Sequence, residues 1–141
     1  KGKEILAALE NGVSQWENTA GRFLQVSGLR YAFDLSRPAG SRVVRVEVKT
    51  EKGYVPLDLE ATYRVVVNNC IANGGDGFTV LKEAQGYRVD TGFSDAESVM
   101  DYLKELKAVE AGLEGRIEVL NEPKGERPAY FAYRVPGLVG V

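Results

Sequence analysis

The residues best suited to chemistry sit in one short run, Asn73-Gly74-Gly75-Asp76-Gly77-Phe78. Three glycines around one aspartate allow positive φ and remove side chains that would block another molecule's approach. Held between glycines, the Asp76 carboxylate can point outward. A carboxylate accepts two hydroxyl donors well, so a ribose diol is a natural ligand. A tight strand-to-helix turn with an aspartate cap accounts for the same spacing, and on spacing alone it is the more economical account. The run is not a P-loop, because no Gly-Lys-Ser/Thr ending follows. Nor is it a dinucleotide fingerprint, because the third glycine of that pattern is absent.

What is missing narrows the chemistry. The sequence has no histidine and one cysteine, Cys70. Such a chain can hardly supply its own hydrolytic metal centre or a nucleophile–histidine pair. The loop therefore reads better as a place that holds a substrate than as one that transforms it. Cys70, just before the loop, can form no internal disulfide and by itself reads as a small apolar side chain. Asn68 and Asn69 read as residues that satisfy loop backbone. Trp16, Tyr31, Phe33 and Tyr63 have the rings to stack on a base, but aromatics at strand spacing are more often core. Arg22, Arg30, Arg37, Arg42 and Arg45 fall around two strands, where alternation puts some of them on a solvated face. The 18 basic and 20 acidic residues give a net charge of -2 with no basic block, which argues against a nucleic-acid polymer as partner.

These residues need a frame. A length of 141 residues suits one globular domain, with 44% hydrophobic residues to fill its core. Ile5, Leu6, Leu9 and Val13 form a helical stripe, with Gly12 as a stop signal. Leu29, Tyr31 and Phe33 alternate along a strand that Gly28 bends or bulges. Residues 36–40 form a loop. Val44, Val46 and Val48 line one face of a second strand, Glu51-Lys52-Gly53 turns the chain towards Tyr54 and Val55, and residues 56–61 are a connection. Thr62 to Asn68 is the best strand in the sequence, its apolar run Val65-Val66-Val67 suiting a strand covered on both faces. Phe78 to Ala84 predicts a short helix, and Tyr87 to Val89 a short extended piece. Ser94 and Glu97 make a capping box for a helix to Lys107, with Val99, Leu103 and Leu106 as its buried stripe. Arg116 to Leu120 predicts a closing strand. The expected fold is α/β (α+β): a mixed sheet of about four to five strands with packed helices. Residues 1–120 would form the domain, and 121–141 a polar linker and an aromatic tail with Tyr130, Phe131 and Tyr133.

Three segments together resemble the C-terminal domain of the 5′-nucleotidase family. They are Gly21-Arg22-Phe23-Leu24-Gln25-Val26-Ser27-Gly28-Leu29-Arg30, Asp34-Leu35-Ser36-Arg37-Pro38-Ala39-Gly40-Ser41-Arg42-Val43, and the run from Asn73 to Phe78. Their order makes the resemblance specific, and it extends from about Lys3 to Val119. It implies a two-domain hydrolase, mostly secreted, periplasmic or cell-surface. The N-terminal domain would be a calcineurin-like metallophosphoesterase with two divalent metal ions, and the C-terminal domain would hold the nucleoside part of the substrate. The full-length enzyme would hydrolyse nucleoside 5′-monophosphates to nucleoside and phosphate, and this part alone would be inactive. Absence of an initiator methionine before the first helix fits the C-terminal piece of a longer chain.

By resemblance, Asp76 matches the aspartate that binds the ribose hydroxyls, with Gly74, Gly75, Gly77 and Asn73 as its loop. Cys70 matches a position that usually carries phenylalanine, one of two rings around the base, and a cysteine cannot stack as a ring can. The second ring and an arginine-bearing loop precede the first helix in the family. Two alternatives stay open: a nucleotide-sugar or 2′,3′-cyclic-nucleotide phosphodiesterase of the same family, and a non-catalytic dimerisation or interaction module with the aromatic tail as contact surface.

Overall fold

The computed structural model describes residues 1–110 and 112–124. Helix α1 (Gly2–Val13) turns Leu9 and Val13 inward, and both are buried. Its first turn is held by the chain that crosses it: Gly2 and Lys3 donate their backbone N–H groups to Ala61 and Leu59, each at 3.0 Å. These contacts answer donors that a helix start leaves without intrahelical partners. An added Cβ on Gly2 would lie 2.1 Å from the Asp58 carbonyl oxygen, so only glycine fits this crossing. Gly12, expected to stop the helix, lies inside it and is buried beside residues 22–24.

The sheet is mixed and four-stranded, in the order β3-β2-β1-β4. Strands β1 (Leu29–Asp34), β2 (Val43–Thr50) and β3 (Gly53–Pro56) are antiparallel neighbours, while β4 (Ile117–Leu120) pairs parallel to β1. The β2–β3 turn is tight, with Thr50 opposite Gly53 and Gly53 at φ +111. Gly28 is the bend before β1, at φ +76, but the bulge falls elsewhere. Register jumps from Ala32↔Arg45 to Phe33↔Val43, so Val44 is the extra residue. A bulge breaks period-two alternation; Val44 accordingly leaves the face expected for it and is exposed.

The core lies between α1 and β1. Phe33, with no exposed surface, has Trp16, Phe23 and Tyr31 rings at 5.3, 6.0 and 6.0 Å between centroids. Trp16, Tyr31 and Phe33 are thus core or core-edge rings, while the Tyr63 hydroxyl accepts the Asp58 N–H at 2.9 Å. The arginines divide. Arg30 lies 4.4 Å over the Tyr54 ring and pairs with Glu47, holding the Glu47 carboxyl below the ordinary carboxylate range. Arg42 is buried: it donates to Val13 O at 2.7 Å, to Arg37 O at 3.2 Å and to both carboxylate oxygens of Glu17. Glu10 of α1 accepts the Arg42 and Val43 N–H groups at 3.0 and 2.7 Å, fastening the helix to the start of β2. Asp34 closes the far end. It accepts from Ser36 N–H and hydroxyl and from the Asn121 side chain, which lowers its pKa.

Three expectations fail beyond residue 61. Residues 62–68 join no strand among the described residues, and Val66 is 93% exposed. An apolar run signals a preference for burial, but a strand also needs a neighbour to complete its ladder. Helix α4 (Asp95–Leu106) forms where the Ser94 cap predicts it, the Ser94 side chain accepting the Glu97 N–H. Its stripe of Val99, Leu103 and Leu106 is nonetheless exposed. Residues 87–89 likewise make no ladder. Tyr130, Phe131 and Tyr133 lie outside the described residues.

Candidate functional site

The glycine run is the hinge between two short helices, α2 (Asn69–Ala72) and α3 (Thr79–Glu83). Asn68 starts α2, its side-chain oxygen accepting the Ile71 N–H at 2.9 Å, which is the structural role expected of it. Cys70 therefore lies in a helical turn, not at the end of a strand, and it is exposed where a buried apolar side chain was expected. Asn73 ends α2 and is exposed, its N–H bonded to Asn69 O at 3.0 Å.

Backbone conformation explains the residue types that follow. Gly74, Asp76 and Gly77 have φ values of +88, +51 and +81. Such left-handed positions favour glycine and, among other residues, aspartate and asparagine. Gly75 is required for a different reason: an added Cβ would lie 2.4 Å from Cys70 Sγ and 2.8 Å from Cys70 O. So Cys70 is the wall against which the loop folds. Beyond the loop, Phe78 is fully buried and pins the start of α3. The Asp76 residue between these anchors is exposed.

The structure thus brings Cys70, Asn73, Gly74, Gly75, Asp76 and Gly77 into one small unit. Three further residues support it. Asn11 of α1 donates from Nδ2 to the Asp76 carbonyl oxygen at 3.1 Å. Arg22 reaches Asn11 Oδ1 at 3.4 Å and Ser14 Oγ at 3.5 Å. Arg88 donates to Ala72 O at 3.2 Å and to Leu81 O, clasping α2 to α3 behind the loop. Sequence reasoning missed these roles. Asn11 and Asp76 are 65 positions apart, and nothing in either residue's neighbours announces the contact. An exposed carboxylate on an anchored turn can accept hydroxyl donors from a ligand. Among the described residues no group of three or more His, Cys, Asp or Glu side chains is placed to hold a metal ion.

A family model described as 5′-nucleotidase, C-terminal domain, matches residues 1–83, the helix, the first three strands and the glycine loop together. The chain belongs to this family. A 5′-nucleotidase of Diplobatis ommata is 42% identical over 120 residues, covering 82% of this chain and 21% of that protein. The trifunctional nucleotide phosphoesterase of Bacillus subtilis is 39% identical over 128 residues, covering 89% of this chain and 9% of its own length. A solved structure, the 5′-nucleotidase precursor from Thermus thermophilus, superimposes with a TM-score of 0.86 at 98% identity, covering 87% of this chain and 24% of that one. The chain therefore spans about a fifth of the length of the 5′-nucleotidase of Diplobatis and a quarter of the Thermus chain. Its mixed sheet and packed helices are those of the family's C-terminal domain.

Proposed function

We propose that residues 1–120 form the substrate-holding domain of a longer 5′-nucleotidase that converts nucleoside 5′-monophosphates to nucleoside and phosphate. The observation that carries this reading is the loop of a 5′-nucleotidase C-terminal domain presenting Asp76 outward on a turn fastened from both sides. In it, Asp76 accepts the two ribose hydroxyls, and Gly74, Gly75 and Gly77 let the sugar approach the backbone. Asn73 borders the sugar, and Cys70 stands beside the base, where the family usually has a phenylalanine ring. Fixing the nucleoside orients the phosphate for attack, a contribution of position rather than of bond chemistry. The two divalent ions of the reaction belong to the N-terminal metallophosphoesterase domain, this domain's partner within the same protein. The described residues of this chain offer no cluster that fits such ions. A relative from snake venom, and the naming of the Thermus protein as a precursor, support an exported protein, secreted, periplasmic or at the cell surface. Among the described residues no helix is long and apolar enough to cross a membrane.

The Bacillus relative is named a trifunctional nucleotide phosphoesterase, so the assay includes other nucleotide substrates beside AMP. The deciding assay measures phosphate release by the full-length protein from AMP, UDP-glucose and a 2′,3′-cyclic nucleotide, with and without divalent metal. Release from AMP is expected, and Asp76→Ala should raise KM for AMP about tenfold while leaving the fold intact, as for loss of a hydrogen-bonded charged group. Unchanged KM and kcat in that variant would remove Asp76 from the site.

A further inference from the structure

Asp76 is a non-glycine residue held at φ +51 and ψ +27. Its backbone carbonyl is tied not to its own loop but to α1, through Asn11 Nδ2 at 3.1 Å. The orientation of the Asn11 amide is fixed by its other end. Arg22 Nη1 lies 3.4 Å from Oδ1, so the oxygen faces a cationic donor and the NH2 faces a carbonyl. Flipping the amide would set donor against donor and oxygen against oxygen. Gly77 completes the arrangement: an added Cβ there would lie 3.1 Å from Asn11 Oδ1 and 3.5 Å from Arg22 Nη1. The loop thus approaches this pair closely on a residue that carries no side chain. Asn11 and Arg22 are both half-buried, so the contact between them is partly shielded from competing water.

We propose that Asn11, oriented by Arg22, is a positioning residue that sets the direction of the Asp76 carboxylate towards a ligand diol. The inference rests on the ribose-binding reading of Asp76 given above. Without the tie, the Asp76 peptide is free to rotate out of its left-handed conformation, and the carboxylate turns with it. The cost should fall on recognition of the two hydroxyls and leave bond cleavage alone. Asn11 touches no ligand in this scheme; it acts through Asp76.

The test uses the full-length enzyme with AMP and with 2′,3′-dideoxy-AMP, which lacks both hydroxyls. Asn11→Asp keeps the shape and the contact to Arg22 but replaces the donor with an acceptor. It should raise KM for AMP roughly three- to tenfold with kcat within about twofold, the range of one lost hydrogen bond. Efficiency with the dideoxy substrate should change by less than about twofold, so discrimination between the substrates shrinks by the same factor as KM rises. Asn11→Ala, with neither donor nor charge, should act in the same direction. In an Asp76→Ala background neither change should alter KM further. Equal losses on both substrates, or full discrimination retained in Asn11→Asp and Asn11→Ala, would overturn the positioning role. Failure of Asp76→Ala itself to reduce discrimination would instead overturn the ribose-binding reading, so the two failures are distinguishable.

Discussion

Two regions of this molecule carry the same hydrophobic signal and treat it in opposite ways. In residues 1–56 with β4, apolar residues meet: Leu9 and Val13 of α1 close over Tyr31 and Phe33 of β1, ringed by Trp16, Phe23 and Val46. In residues 62–110, Val65, Val66, Val67, Val99 and Leu103 are as apolar, yet all are exposed. The difference does not lie in side-chain type. In the first region each element has a face-sharing neighbour and long-range ties such as Glu10 to the start of β2. In the second α4 forms from its local cap, and its apolar stripe remains on the surface. The glycine loop lies between these regimes: local conformation shapes it, and Asn11 of the first region fastens it.

The largest expected effect would break this comparison if it failed. Phe33→Ala removes a ring with no exposed surface and should destabilise the domain by about 3–5 kcal/mol, from lost transfer energy plus a cavity. Val66→Ser, at 93% exposure, should change stability by less than about 0.5 kcal/mol. Urea unfolding of the 141-residue chain measures both. Similar losses from the two variants would mean that Val66 is buried in solution and that the contrast is false.

That contrast also marks how far the sequence could be read. Local signals were legible. The Ser94–Glu97 box, the turn at residues 51–53 and the alternation of Tyr31 with Phe33 each depend on neighbours in sequence, and each produces the expected element. The strand expected at 62–68 was not legible, because strand formation requires a ladder partner whose presence no run of valines encodes. The site was legible in part. The glycine pattern located the loop and its unusual backbone, since left-handed positions constrain residue type strongly. Asn11, Arg22 and Arg88 were not, because a long-range side-chain hydrogen bond leaves no spacing or composition to read.

A smaller effect sharpens the comparison through pH. Burial pushes the Tyr31 phenol well above its ordinary value of 10. A group whose folded pKa is raised contributes stability that is complete below the unfolded value and is lost as pH rises through the folded one. Thermal unfolding should therefore show stability falling above about pH 10, as the unfolded tyrosine begins to ionise while the folded one resists. Tyr31→Phe should remove Tyr31's share of that alkaline decline at the cost of the 3.4 Å hydrogen bond to Leu24 O. Tyr87→Phe, at a residue 96% exposed, is the control from the other region and should leave thermal stability at pH 7 within about 0.5 kcal/mol. An unchanged alkaline limb in Tyr31→Phe would show that Tyr31 is not shielded as the core contacts require.

The smallest effect compares two ion pairs. Glu17 hydrogen-bonds the buried Arg42 guanidinium, and this contact, more than any other, lowers the Glu17 pKa below its ordinary 4.5. Lys104 and Asp101 of α4 meet at 3.1 Å with both side chains about three-quarters exposed. A lowered carboxylate pKa gives stability that is present above the unfolded value and lost as pH falls through the folded one. Glu17→Gln should therefore lower the melting temperature at pH 7 and flatten its fall below about pH 4.5. The effect should be small, because Glu17 itself is more than half exposed and solvent screens the pair. It should still exceed that of Asp101→Asn, since Arg42 would be left with a weaker partner inside the fold, whereas Lys104 would only exchange a carboxylate for water. Equal melting temperatures for the two variants across pH 3–7 would mean that burial of one partner adds nothing, and that Arg42 is held by the Val13 and Arg37 carbonyls alone.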